Sequence, residues 1–182
     1  PVDPLLKFIG VRYRTFFWVI RHVPPRALAL LGRLRAQRAV DHARRLVPGY
    51  ARFWQSAATE RVRVGSGLVP TTDKKSYVQR FPIEQRCVGG SLEGPAISVD
   101  ESSGSTGTPF NWVRGAEERQ ATHVFISHFA RYCFGDEPFV TVNAFSMGAW
   151  ATGVNMGVAL ERNGMVKNTG PDPDKVFSTL EF

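Results

Sequence analysis

Apolar positions recur with a helical period from Leu5 to Ile20, where Leu5, Leu6, Ile9, Tyr13, Phe16, Phe17 and Ile20 share one face and Lys7, Arg14 and Arg21 share the other. Pro24-Pro25 breaks this helix and opens a second, predicted over Arg26–Val47, with Ala36, Val40, Ala43 and Val47 inward, arginines mostly outward and Pro48-Gly49 as its stop. Tyr50, Phe53 and Trp54 follow as an aromatic cluster whose default use is core packing. Gly65–Gly67 reads as a turn, and Lys74 to about Gln79 as a short helix capped by Thr72 or Asp73. Alternation and β-forming residues then mark two strands, Ala96-Ile97-Ser98-Val99 and Phe110-Asn111-Trp112-Val113.

Beyond the second strand, Gly115-Ala116 leads into a helix with Ala121, Val124, Phe125, His128, Phe129, Tyr132 and Cys133 on or near one face. A strand over Phe139–Phe145, a helix over about Gly148–Arg162 and a strand over Met165–Asn168 come next, with Asn163-Gly164 as the helix stop. Strand, helix and strand at this spacing require a parallel crossover, so the expected fold class is α/β. Ala149, Gly153 and Gly157, spaced by four, form a small-residue stripe that lets one backbone approach another. Pro171–Phe177 reads as a turn opening one more helix.

Between the two central strands lies Ser102-Ser103-Gly104-Ser105-Thr106-Gly107-Thr108-Pro109. Glycines permit the backbone angles of a loop folded on itself and let bare amides approach an anion, while hydroxyls add neutral donors, which together describe a phosphate cradle. Serine, threonine and glycine also compose solvated linkers, but eight residues between two strands is short for a linker. No Gly-Lys-Ser/Thr follows, so the loop is not of the Walker type.

This stretch resembles the phosphate-binding signature of the adenylate-forming (AMP-binding) enzyme superfamily, and its doubled serine resembles the phenylacetate-CoA ligase-like branch. Val69-Pro70-Thr71-Thr72-Asp73-Lys74-Lys75-Ser76-Tyr77, with Phe81-Pro82 after it, is similar to the Leu-Pro-x-Thr-x-Lys segment that this branch carries upstream of its loop. Many superfamily members have a lysine where Phe110 stands, a position at which the branch is relaxed. The resemblance covers roughly Tyr50–Lys175 and implies the N-terminal part of a large adenylation domain: residues 49–182 after a basic helical leader over 1–48. The family's later signatures have no counterpart here, so the expectation is a fragment of an ATP-dependent carboxylic acid–CoA ligase.

That resemblance implies ATP and Mg²⁺ as cofactors and coenzyme A as co-substrate. Ser102, Ser103, Gly104, Ser105, Thr106, Gly107 and Thr108 would hold the phosphates, and Lys74 and Lys75 are read as solvated rather than as phosphate contacts. The segment Asn143–Trp150 would line the acid site, with Phe145, Met147, Gly148 and Trp150 suited to an aromatic or fatty acid. Phe145, Met147 and Trp150 as plain core is the competing reading. No catalytic residue and no metal ligand is assigned within the chain.

Charge changes the picture in one respect. Residues 1–63 hold thirteen Lys and Arg against three Asp and Glu, whereas the remaining residues hold ten against thirteen, so the net +7 is concentrated away from the loop. A nucleic-acid enzyme would carry its positive charge around the working site, and nucleic acid is therefore not an expected partner. The amphipathic face of residues 5–21 has two open uses, peripheral contact with an anionic membrane or packing against the rest of the protein. A non-catalytic membrane-associated module with a vestigial loop is the alternative from a different functional class. Cys87 and Cys133 belong to no paired motif and are expected to be reduced and buried, which suits a cytoplasmic location with or without membrane contact.

Overall fold

The computed structural model describes residues 10–56, 60–102, 104 and 109–181. The chain is mixed α/β with small sheets and divides into two compact units: Arg21–Gly94, and a second made of Pro1–Ile20 with Pro95–Phe182.

Helix α1 (Tyr13–His22) belongs, but for Arg21 and His22, to the other unit; within the Arg21–Gly94 unit α3 (Pro48–Gln55) follows α2 (Pro25–Leu46). Pro48 does more than stop α2. It opens α3, because a proline in a first turn sacrifices an amide that would have no helical acceptor anyway. Gly49 is there for space: a Cβ would stand 2.7 Å from the Gln85 carbonyl oxygen. The core is aromatic. Phe53 is 2% exposed and meets Tyr77, which meets Phe81, with ring centroids 5.5 and 5.4 Å apart. Trp54 carries two guanidinia over its ring, Arg44 at 4.9 Å and Arg61 at 5.4 Å, a packing that leaves both charges near water. The antiparallel hairpin β1 (Arg61–Val64) and β2 (Gly67–Pro70) pairs Val62 with Val69 across the predicted Gly65–Gly67 turn. The strands themselves were not expected from the sequence, although Val62, Val64 and Leu68 alternate around the turn.

The segment after β2 forms one wide turn, Lys74–Val78, in which the Gln79 amide donates to the Lys74 carbonyl five residues back. Asp73, one of the two expected caps, accepts from the Lys75 and Ser76 amides at 2.7 and 2.8 Å, and Ser76 Oγ accepts from the Asp73 amide in return. The amide of Ser76, foremost, holds the Asp73 carboxyl below the ordinary aspartate value.

In the other unit, β3 (Ser98–Glu101) and β4 (Asn111–Arg114) form an antiparallel hairpin, and α4 (Ala116–Phe134) follows. The predicted crossover is present: β5 (Phe139–Asn143) and β6 (Gly164–Asn168) pair in parallel, joined through α5 (Ala151–Leu160). Gly164 does not cap the helix. It begins β6 against Phe139, where a Cβ would lie 2.1 Å from the Phe139 carbonyl oxygen. Helix α6 (Pro173–Leu180) starts at the predicted turn, capped by Asp172 accepting from the Asp174 and Lys175 amides.

The core between α4 and α5 is small and unusually polar. Ala159 and Val124 are buried beside His123, Ser127 and His128. His123 Nε2 meets Asn155 Oδ1 at 2.8 Å, and Asn163 Nδ2 donates to the Ser127 carbonyl at 2.8 Å. Cys133 is exposed and Cys87 only partly buried, which corrects the expectation that both lie in the core. Burial raises the Cys87 thiol above its ordinary value.

Helix α1 packs its aromatic face on α4. Tyr13 and Phe16 flank the His128 ring at 5.6 and 5.4 Å, Phe17 stacks on Tyr132 at 4.8 Å, and the Arg131 guanidinium covers Tyr13 at 4.5 Å. The His128 Nε2–H donates to the Gly10 carbonyl at 2.9 Å. Burial pushes His128 below the ordinary histidine value, the Gly10 bond opposes that shift, and Arg162 and Arg131 add to it. Between the depressed folded value and an unfolded value of about 6.5 the unfolded chain binds more protons, so stability is complete above that window and is lost as pH falls through it. The thermal midpoint is expected to fall as pH is lowered from neutrality, and His128→Gln, which keeps a donor without titrating, is expected to flatten the profile. Parallel profiles for the two proteins would refute this.

Candidate active site

The loop that the sequence singles out connects β3 to β4. Its mouth is closed by a pair of hydrogen bonds: the Ser102 amide donates to the Phe110 carbonyl, and the Phe110 amide donates to Ser102 Oγ, both at 2.9 Å. Ser102 Oγ accepts in this bond and keeps its own proton for another acceptor. Gly104 has φ +65°, the left-handed conformation that glycine adopts without a Cβ clash. Ser103, Ser105, Thr106, Gly107 and Thr108 lie outside the described residues.

Arg114 fixes the other end of the hairpin. Its Nε donates to Asp100 Oδ2 at 2.6 Å on the diagonal across β3 and β4, and Nη1 bonds Glu118 in the first turn of α4. Burial works against the Arg114 charge, but its bond to Asp100 and the charge of Glu118 outweigh that and raise its value. Asp100 is only 8% exposed, and it faces this guanidinium rather than standing alone.

The segment assigned to the acid leaves the C-terminal end of β5, the end at which open α/β sheets place their ligands. Asn143 organises it. Its side chain is 2% exposed; Nδ2 donates to the Gly153 carbonyl at 2.9 Å and to Asn168 Oδ1 at 2.8 Å, while Oδ1 accepts from the Phe145 amide at 3.3 Å. The Asn143 carbonyl accepts from the Thr169 and Gly170 amides at 3.1 and 3.3 Å.

From this anchor the chain runs back to the loop's first strand. The Glu101 amide donates to the Ala149 carbonyl at 2.8 Å, and Glu101 and Trp150 form a parallel bridge. Ala149 therefore pairs with a strand and is not part of the helix, which starts at Ala151 rather than near Gly148 as expected. The rest of the small-residue stripe is explained by contact. A Cβ on Gly153 would fall 2.1 Å from the Ser146 carbonyl oxygen, and one on Gly157 would fall 2.5 Å from Asn168 Oδ1.

Phe145 and Trp150 are 50% and 44% exposed and so are not core, whereas Met147 is half-buried. Gly148 has φ +95° and open space where a Cβ would stand, so its glycine serves the backbone angle. No protein-family model matches the chain, and no curated protein matches its sequence.

Gly153→Ala would add helix propensity worth about 1 kcal/mol, yet its methyl must displace the Ser146 backbone, a kind of overpacking that costs about 1–3 kcal/mol. A net loss of stability in urea melts is expected, with faster amide exchange at Phe145. A rise in the melting midpoint would show that the Ser146 backbone yields freely.

Proposed function

We propose that the chain carries the phosphate-binding part of an ATP-dependent carboxylic acid–CoA ligase, the N-terminal portion of an adenylation domain of the phenylacetate-CoA ligase-like branch. One observation carries the reading: the bond and bridge from Glu101 to Ala149 and Trp150 join the root of the phosphate loop to the segment assigned to the acid. In such a ligase the carboxylate attacks the α-phosphorus of ATP, forming an acyl-adenylate and releasing pyrophosphate, and a thiol then displaces AMP. The acid and the phosphates must meet within bonding distance, so the elements that hold them have to be neighbours.

In this reading Ser103, Ser105 and Thr106 donate hydroxyl protons to phosphate oxygens, and the backbone of Gly104 and Gly107 donates amides. Their work is positioning and charge stabilisation, without acid–base chemistry. The clamp between Ser102 and Phe110 supports them by fixing both ends of the loop. Bound Mg²⁺ would supply neutralisation of phosphate charge; no group of three or more His, Cys, Asp or Glu among the described residues could hold a metal, and the reading asks no side chain of this chain to ligate it. Phe145, Met147 and Trp150 offer apolar surface to an aromatic or fatty acid, with Gly148 providing the bend between them.

Thr106→Ala combined with Gly107→Ala in the intact protein is expected to lower acid-dependent exchange of pyrophosphate into ATP by about a hundredfold, the scale on which a preorganised donor acts. Unchanged exchange would sink the proposal. Because Gly148 serves a backbone angle, acid selectivity is better probed at Trp150. Trp150→Ala is expected to change kcat/KM for bulky acids about tenfold relative to small ones while nucleotide affinity holds, the range that altered apolar pocket contacts give. Equal losses for all acids would make Trp150 a structural residue.

A further inference from the structure

The basic charge of the chain follows its structural division. Arg21–Gly94 holds fourteen Arg and Lys against five Asp and Glu, a net +9, whereas the other unit holds nine against eleven. Helix α2 alone contributes six arginines against one acid, Asp41, and none of its residues is buried. Leu30 and Leu34, one turn apart, are 58% and 51% exposed. Arg26 and Arg33 lie four positions before and three after Leu30, and Arg38 lies four after Leu34, so cations flank both leucines on the same side of the helix.

The hairpin repeats the pairing. Arg63 stands opposite Leu68 in the β1–β2 register, and Leu68 is 53% exposed. Arg33 and Arg63 line one open cavity of about 570 Å³, with Ala29, Gly32, Ala36 and Gly65 leaving room between them. No ion pair engages either guanidinium among the described residues.

A guanidinium grips a phosphate through paired N–H donors, and a phosphate is what two guanidinia around one cavity, without an ion-pair partner among the described residues, fit. The leucines decide which phosphate. A nucleic-acid backbone would satisfy the arginines and leave Leu30, Leu34 and Leu68 in water, whereas an anionic bilayer offers headgroup phosphates and, a few ångströms deeper, an apolar boundary. We infer that α2 and the β1–β2 hairpin form a face that docks on anionic membrane, with a lipid phosphate between Arg33 and Arg63 and Leu30 and Leu34 entering the acyl boundary. No helix among the described residues is long and apolar enough to cross a bilayer, and this contact is peripheral. The inference is independent of the ligase reading.

The test is co-sedimentation of the intact protein with vesicles of phosphatidylserine and phosphatidylcholine in equal parts, beside vesicles of phosphatidylcholine alone. Partition onto the anionic vesicles about tenfold or more above the neutral ones is expected, weakening as salt is raised. Arg33→Gln with Arg63→Gln, and separately Leu30→Gln with Leu34→Gln, are each expected to lower that partition about fivefold or more with helix content unchanged by circular dichroism. Should either pair lose helix, Arg26→Gln with Arg38→Gln takes its place with the same expectation. Failure to sediment at low salt overturns the inference. So does loss in the arginine pair alone accompanied by tight binding to duplex DNA, which would make the face a nucleic-acid surface, or release from vesicles by millimolar inorganic phosphate with the leucine pair neutral.

Discussion

The candidate site depends on one buried amide. Asn143 ends β5, and a side chain with two donors and an acceptor is placed where three segments need tying: the first turn of α5 through the Gly153 carbonyl, the end of β6 through the Asn168 side chain, and the outgoing segment through the Phe145 amide. A two-stranded parallel pair is a weak element, because parallel ladders are stable when buried in larger sheets. Here the side-chain network does what further strands would otherwise do. Leaving its buried polar groups without partners would cost about 1–3 kcal/mol for each group, a large part of the margin by which a domain is stable.

The glycines of α5 belong to the same constraint. Gly153 and Gly157 are poor helix formers, and their presence in a ten-residue helix makes sense only through what they admit: the Ser146 backbone at one and the Asn168 amide at the other. The segment from Ala144 to Trp150 is thereby held from both ends, by Asn143 where it leaves β5 and by Glu101 where it meets β3. Whatever the exposed faces of Phe145 and Trp150 touch, they are presented from a fixed backbone.

What the sequence revealed was mostly local. The long helices, the β3–β4 pair, the crossover and the cap at Asp73 are written in short-range periodicity and turn chemistry; their ends are not, since α1 begins at Tyr13 rather than Leu5, α5 at Ala151 rather than near Gly148, and Lys74–Val78 is one wide turn. The β1–β2 strands were missed because four-residue strands around a turn offer too few alternations to outweigh flanking arginines. The bond from Glu101 to Ala149 joins residues 48 apart, and no local pattern carries it; the small-residue stripe showed that a close approach exists without naming its partner. The exposed Cys133 and the polar contacts of His123 and Ser127 follow the same logic, since which side of an evenly mixed helix faces inward is decided by its neighbours. Within the candidate loop, Ser102 serves its own backbone first, a role that composition cannot distinguish from ligand binding.

The order in which the two units occur along the chain has a kinetic consequence. The Arg21–Gly94 unit is continuous, whereas the other is split around it, and the His128–Gly10 bond joins positions 118 residues apart. During synthesis at about 5–20 residues per second, the aromatic face of α1 waits on the order of 6–24 seconds before α4 exists to cover it. The continuous unit has all its contacts available in that interval and can fold first. Tyr13, Phe16 and Phe17 thus stay uncovered until α4 emerges, and most of that wait is the translated length of the inserted unit.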